Sequence, residues 1–172
     1  ELNAKGNAEI EDLIKKIIVT SDNINFFKNE EKFNTQGNSK AYDNGLTIKA
    51  DEFEYDKILN ILNAKGNVKV KDNLRNITIN TDKIIYEKNI EKIFTKGKSI
   101  AQNKDTKIKA AEFEYDKNLN VLNAKGNVQI INNSKNFIIF AEDVTYEKNL
   151  EKITTLGSTR ANFQSKYNFE TS

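Results

Sequence analysis

The chain of 172 residues contains no cysteine and no histidine, and tryptophan, methionine and proline are missing as well. Without cysteine there is no disulfide and no thiolate nucleophile. Without histidine there is no His–Ser relay, and the two absences together remove the common zinc sites. Long apolar runs are also lacking, so no segment approaches the ~20 residues that a membrane-spanning helix requires. Charge of one sign is lacking too. The 27 basic and 25 acidic residues are interspersed and leave a net charge of +2, so there is no polybasic footprint for nucleic acid. No catalytic constellation can be assembled from what remains, and no enzyme, cofactor or metal site is expected. Glu1 is not an initiator methionine, and the sequence is silent on its own targeting.

What the chain has in abundance is repetition. LNAKGN stands at Leu2, Leu62 and Leu122; residues 2–61 align with 62–121 without a gap, and 122–172 follow the same template until the chain stops. Glycines at 6, 37, 66, 97, 126 and 157 step by 31, 29, 31, 29 and 31, and Phe26, Tyr55, Tyr86, Tyr115 and Tyr146 march with them. The structural unit is therefore about 30 residues, and the whole of 1–172 is expected to form one domain.

Within a unit the period is two. Leu62, Ala64, Gly66, Val68 and Val70 share one face, while Asn63, Lys65, Asn67, Lys69 and Lys71 share the other, the pattern of a half-buried strand. In NITINTDKIIY the parity slips between Ile79 and Ile84, which predicts a β-bulge near Thr81–Lys83. The same slip separates Ile48 from Phe53 and Ile108 from Phe113. Short polar intervals such as YDNG at 42–45 and NNSKN at 132–136 supply turns. The expected fold is all-β, about a dozen strands in an elongated antiparallel jelly roll, with a parallel β-solenoid as the alternative; short turns favour the antiparallel form.

After the glycine, the half-units alternate between large inward residues (Val68 and Val70, Val128 and Ile130) and small ones (Ser39 and Ala41, Ser99 and Ala101, Thr159 and Ala161). Two readings stay open: the walls interlock into a dry core, or the small wall leaves a long apolar slot. GKS at 97–99 lacks the glycine that a phosphate loop needs and is expected inside a strand. The acids Asp22, Asp51, Asp82 and Glu142 recur before the aromatic column, but Ala111 holds the equivalent place, so they read as bulge residues facing solvent. Lys5, Lys65 and Lys125 read as solubilising outer-face residues.

Taken in order, LNAKGNVKV at 62–70, ITINTDKIIY at 77–86, IKADEFEYD at 48–56 and LNAKGNVQI at 122–130 resemble the OstA/LptA-type repeat of lipopolysaccharide-transport proteins, over essentially the whole chain. The resemblance implies a periplasmic β-jelly roll of a Gram-negative bacterium whose interior groove carries the acyl chains of lipid A. It implies partners too: other jelly-roll transport proteins, joined by edge-strand pairing, and head-to-tail self-association. Such domains occur free or ahead of an outer-membrane barrel. The mid-repeat break in FQSKYNFETS favours the barrel-attached type, tethered to the outer membrane. On the resemblance, Val68, Val70, Ile84, Tyr86, Phe113, Tyr115, Val128, Ile130, Val144 and Tyr146 are the candidates to line the lipid groove. A lipid-free structural or adhesin β-repeat is the rival from another class.

Overall fold

Turn chemistry sets the course of the chain. Asp12 Oδ1 accepts the backbone N–H groups of Ile14 (3.0 Å) and Lys15 (2.9 Å), Asp72 Oδ1 that of Arg75 (3.0 Å), and Asn132 Oδ1 that of Lys135 (2.7 Å). Each turn then ends on a residue of positive φ, Lys16, Asn76 or Asn136. An Asx side chain that satisfies the backbone two or three residues on is the local signal that ends one strand and starts the next.

The computed structural model describes residues 1–164 and 166–171. Its strands are β1 (Leu2–Asp12), β2 (Ile17–Phe27), β3 (Lys32–Asp43), β4 (Leu46–Asp56), β5 (Ile61–Asp72), β6 (Ile77–Glu87), β7 (Lys92–Lys96), β8 (Ser99–Gln102), β9 (Thr106–Ala110), β10 (Glu112–Asp116), β11 (Val121–Asn132), β12 (Phe137–Glu147), β13 (Lys152–Leu156), β14 (Thr159–Phe163) and β15 (Tyr167–Thr171). All fifteen lie in one sheet, every pairing in it is antiparallel, and a parallel solenoid is excluded. The pairs β7/β8, β9/β10 and β13/β14 are each one long strand interrupted in the middle, which reduces fifteen strands to the expected dozen.

A line of register shifts crosses the sheet at the middle of the long strands and folds it in two. Between β5 and β6 the two residues Gly66 and Asn67 lie opposite Asp82 alone, a bulge that sharpens the bend. Gly66 and Asn67 take φ of 78° and 49°, a left-handed pair that glycine and asparagine tolerate best. The acidic column belongs to this crease. A Cβ on Gly66 would collide with the Asp51 carboxylate, which also accepts a hydrogen bond from Asn67 Nδ2 (2.9 Å). Asp22 covers Gly37 and holds Asn38 (2.8 Å) in the same way. Where Ala111 stands instead, the strand is interrupted between β9 and β10. GKS likewise lies at the bend between β7 and β8 rather than inside a strand, as Lys98 stands where Asn38 and Asn67 stand elsewhere.

The two halves enclose a core of aliphatic and aromatic side chains running the length of the array. Small inward residues have a polar reason. Ser39 Oγ lies 2.6 Å from Thr35 Oγ1 and 3.1 Å from Ser21 Oγ, and Thr35 Oγ1 accepts the N–H of Phe53 (2.9 Å). Sixty residues on, Thr81, Ser99, Thr95 and Phe113 repeat that buried chain.

Candidate functional site

The halves of the folded sheet meet again along their hairpin ends, and the tyrosine column closes this seam. Tyr86, at the end of β6, donates from its hydroxyl to Asp43 Oδ2 at the end of β3 (2.9 Å), 43 residues away. Lys88 Nζ donates to both Asp43 oxygens (2.6 and 2.7 Å). Tyr115 reaches Asp72 Oδ2 (3.3 Å) across the same interval. Tyr55 faces the charge of Asp12, although its hydroxyl donates to Asn60 Oδ1 (2.6 Å), and Lys57 lies between Asp12 (3.5 Å) and Glu31 (3.2 Å). Lys117, buried, pairs with Glu91 and donates to the Tyr86 hydroxyl (3.0 Å), tying one rung to the next.

Burial first, and then the charge of the facing aspartate, pushes the phenols of Tyr55, Tyr86 and Tyr115 well above their ordinary range, so they remain protonated donors. Burial tends to raise the Asp12 carboxyl, but the Lys15 backbone N–H and the Lys57 charge outweigh it and hold that group below its usual value.

The fourth rung differs. The sixty-residue equivalents of Tyr86, Asp43 and Lys88 are Tyr146, Asn103 and Lys148, so the acid has become an amide. Asn103 Oδ1 is spent on its own turn, accepting the N–H groups of Asp105 (3.0 Å) and Thr106 (2.8 Å). Lys148 Nζ donates instead to the backbone carbonyl of Arg75. Burial depresses its pKa, with Asp72 partly opposing and Arg75 adding to the effect. Here the lips part around a cleft of about 840 Å³. Ile77, Phe137, Ile139, Tyr146, Ile153 and Phe163 give it an apolar lining, with the rings of Phe137 and Phe163 5.4 Å apart. Lys71, Lys104, Lys135, Lys148, Asp105 and Glu151 stand around it. A recess lined by Ile77, Ala101, Ile108, Leu122 and Asn120 adjoins the cleft. Asn120 Oδ1 is the one buried side-chain polar atom among the described residues that lacks a hydrogen-bond partner.

Of the ten residues singled out in the sequence, Val68, Val70, Ile84, Tyr86, Phe113, Tyr115, Val128, Ile130 and Val144 sit in the packed interior at 3% exposure or less. Tyr146 lines the cleft. The other apolar lining residues were not among the ten, nor was the acid side of the seam. Its signal lay in the spacing: Asp12, Asp43, Asp72, Asn103 and Asn132 step by 31, 29, 31 and 29 and change from acid to amide partway.

Residues 47–148 match the sequence profile of the family described as LptA/(LptD N-terminal domain) LPS transport protein. No curated protein matches the chain. Among solved structures the chain is similar to LptH, the LptA homologous periplasmic component of the conserved lipopolysaccharide transport device from Pseudomonas aeruginosa. Sequence identity is 12%, the TM-score is 0.35, and the match covers 86% of this chain and 87% of that one. So distant a superposition carries no argument about the present site. The profile, in contrast, spans more than half of the sequence, and the chain belongs to the LptA/(LptD N-terminal domain) family of lipopolysaccharide-transport proteins, which are not enzymes.

Proposed function

We propose that the chain shields lipid A acyl chains of lipopolysaccharide in the periplasm of a Gram-negative bacterium, and that the cleft beside Tyr146 is where an acyl chain enters the folded sheet. The observation that carries this reading is the contrast along the seam: closed by Tyr–Asp contacts and packed behind Tyr86 and Tyr115, parted over an apolar cavity at Tyr146. Its volume lies in the ~300–1,000 Å³ range of ligand pockets. Each methylene kept from water gains about 0.8 kcal/mol, so a chain of about a dozen carbons has roughly 10 kcal/mol at stake. The nine buried candidates would meet a lipid only after the packed interior behind the mouth opens, and the repeated rungs would then offer it similar surroundings at each step.

Photo-crosslinkers at Ile139, Tyr146 and Ile153 are expected to capture lipopolysaccharide, whereas those at the outward Lys69 and Lys83 are not. Equal capture at both sets overturns the assignment. Capture at neither favours the rival structural repeat, which the burial of Val68, Val70, Ile84 and Tyr86 also fits. Fractionation of the full-length protein with the outer membrane is the outcome expected for the barrel-attached arrangement; soluble periplasmic recovery identifies the free one.

The sheet edges suit assembly. Among the described residues β1 pairs with β2 alone and β15 with β14 alone, leaving Leu2, Tyr167 and Phe169 exposed. Phe169 stands opposite Ala161 as Ile108 stands opposite Ala101, and Ile10 repeats Ile130, which pairs with Ile108. In head-to-tail pairing Ile10 of one copy therefore meets Phe169 of the next. The same register sets Glu9 against Glu170, a like-charge pair that weakens self-association relative to pairing with another jelly roll. Ile10→Cys and Phe169→Cys variants, mixed and oxidised, are expected to crosslink in this register; failure at high concentration counts against it.

A further inference from the structure

We propose that the fourth rung is an anion site which the ligand completes: the acidic head group of an amphiphile stands between Tyr146 and Lys148, where Asp43 stands between Tyr86 and Lys88. The chain supplies its own template. At the closed rung a carboxylate accepts one phenol hydrogen bond at 2.9 Å and two ammonium contacts at 2.6 and 2.7 Å. Sixty residues on, Tyr146 and Lys148 line the cleft, the carboxylate between them is gone, and the Arg75 carbonyl takes only one of the three N–H groups of Lys148. Asn103 cannot replace it, because its carbonyl oxygen holds the turn and its remaining polar group is an amide that can only donate. The nearby acids are engaged elsewhere. Asp72 takes Arg75 and Tyr115, and Glu151 takes Lys135 (2.6 Å), while Asp105 is exposed at the turn. Apolar lining on one side of Lys148 and donors at the lip without a carboxylate between them together select a chain-bearing anion, a phosphate ester or free carboxylate of a lipid, over a bare ion or a neutral lipid.

This inference rests on the cleft being the acyl entry, and the test separates the two. The protein is titrated calorimetrically with decyl phosphate, decyl maltoside and inorganic phosphate, the surfactants below their micelle concentrations. Decyl phosphate is expected to bind about tenfold more tightly than decyl maltoside, the worth of one charge-assisted hydrogen bond. Lys148→Gln is expected to erase that advantage while leaving decyl maltoside unchanged. Asn103→Asp, which restores the internal acceptor, is expected to erase it too without lowering the thermal midpoint, so a folding defect cannot mimic the result. Equal binding of the two surfactants, unaltered by either variant, overturns the anion site and leaves the apolar entry standing. No binding of either surfactant overturns both. Inorganic phosphate binding as tightly as decyl phosphate overturns the selection for an amphiphile.

Discussion

The first and second sixty-residue units share nearly half of their residues, yet the first forms continuous strands and a closed rung while the second is interrupted at its crease and leaves its rung open. Three positions account for much of this. Asp43 becomes Asn103, removing the acceptor that holds the lips; Asp51 becomes Ala111, removing the cover over the crease glycine; Asn38 becomes Lys98, replacing a side chain that held the acid. In a repeat protein the shared residues build the scaffold, and the departures from the repeat locate the site.

The comparison breaks most sharply at the rung. Asp43→Ala leaves the half-buried Lys88 without its acceptor and the Tyr86 hydroxyl with Glu91 alone (3.1 Å), and is expected to cost about 2–3 kcal/mol in urea unfolding. The equivalent Asn103→Ala loses only turn hydrogen bonds, about 1 kcal/mol. Similar losses at the two sites would show that the seam is not held by the carboxylate. A smaller contrast lies at the crease. Ser39→Ala strips a partner from Ser21 and Thr35 and is expected to cost about 1–2 kcal/mol. Thr159→Ala, at the matching but less buried position whose hydroxyl donates to Gly157 (3.1 Å), is expected to cost about 0.5 kcal/mol or less.

The smallest effect is electrostatic. Because the Asp12 carboxyl is held below its ordinary value near 3.8, its charge stabilises the folded protein above that pH, and the contribution fades as pH falls through the lowered folded-state value. Asp12→Asn keeps the turn acceptor but not the charge. Its unfolding midpoint is expected to lie below that of the parent at about pH 7 and to converge with it at about pH 2.5. A gap unchanged between the two would show that the charge is not the cause.

The strands, the crease and the antiparallel order were legible in the sequence because each is written several times over: a period of two, a glycine column, and a parity slip between Ile79 and Ile84 that the structure places at a register shift. The acidic column was legible as a place but not as a contact, since nothing in the spelling shows that Asp51 lies over Gly66. The tyrosines were harder. Inward patterning reveals that Tyr86 points into the core but not where its hydroxyl goes, and its acceptor stands 43 residues back on a strand that is not its neighbour. Ile77, Ile139 and Ile153 looked like any other inward aliphatic. What sets them apart is the parted seam beside them, which follows from a single acid-to-amide change at position 103.

The reach from β6 back to β3 offsets the two lips of the folded sheet by three strands. A path that follows one long strand around the fold and crosses the seam at a tyrosine arrives three strands along. At about 4.8 Å per strand this is an advance of roughly 14 Å per circuit. Because Lys117 fastens one rung to the Tyr86 hydroxyl of the one before, opening would spread along the seam from rung to rung, as a zip does.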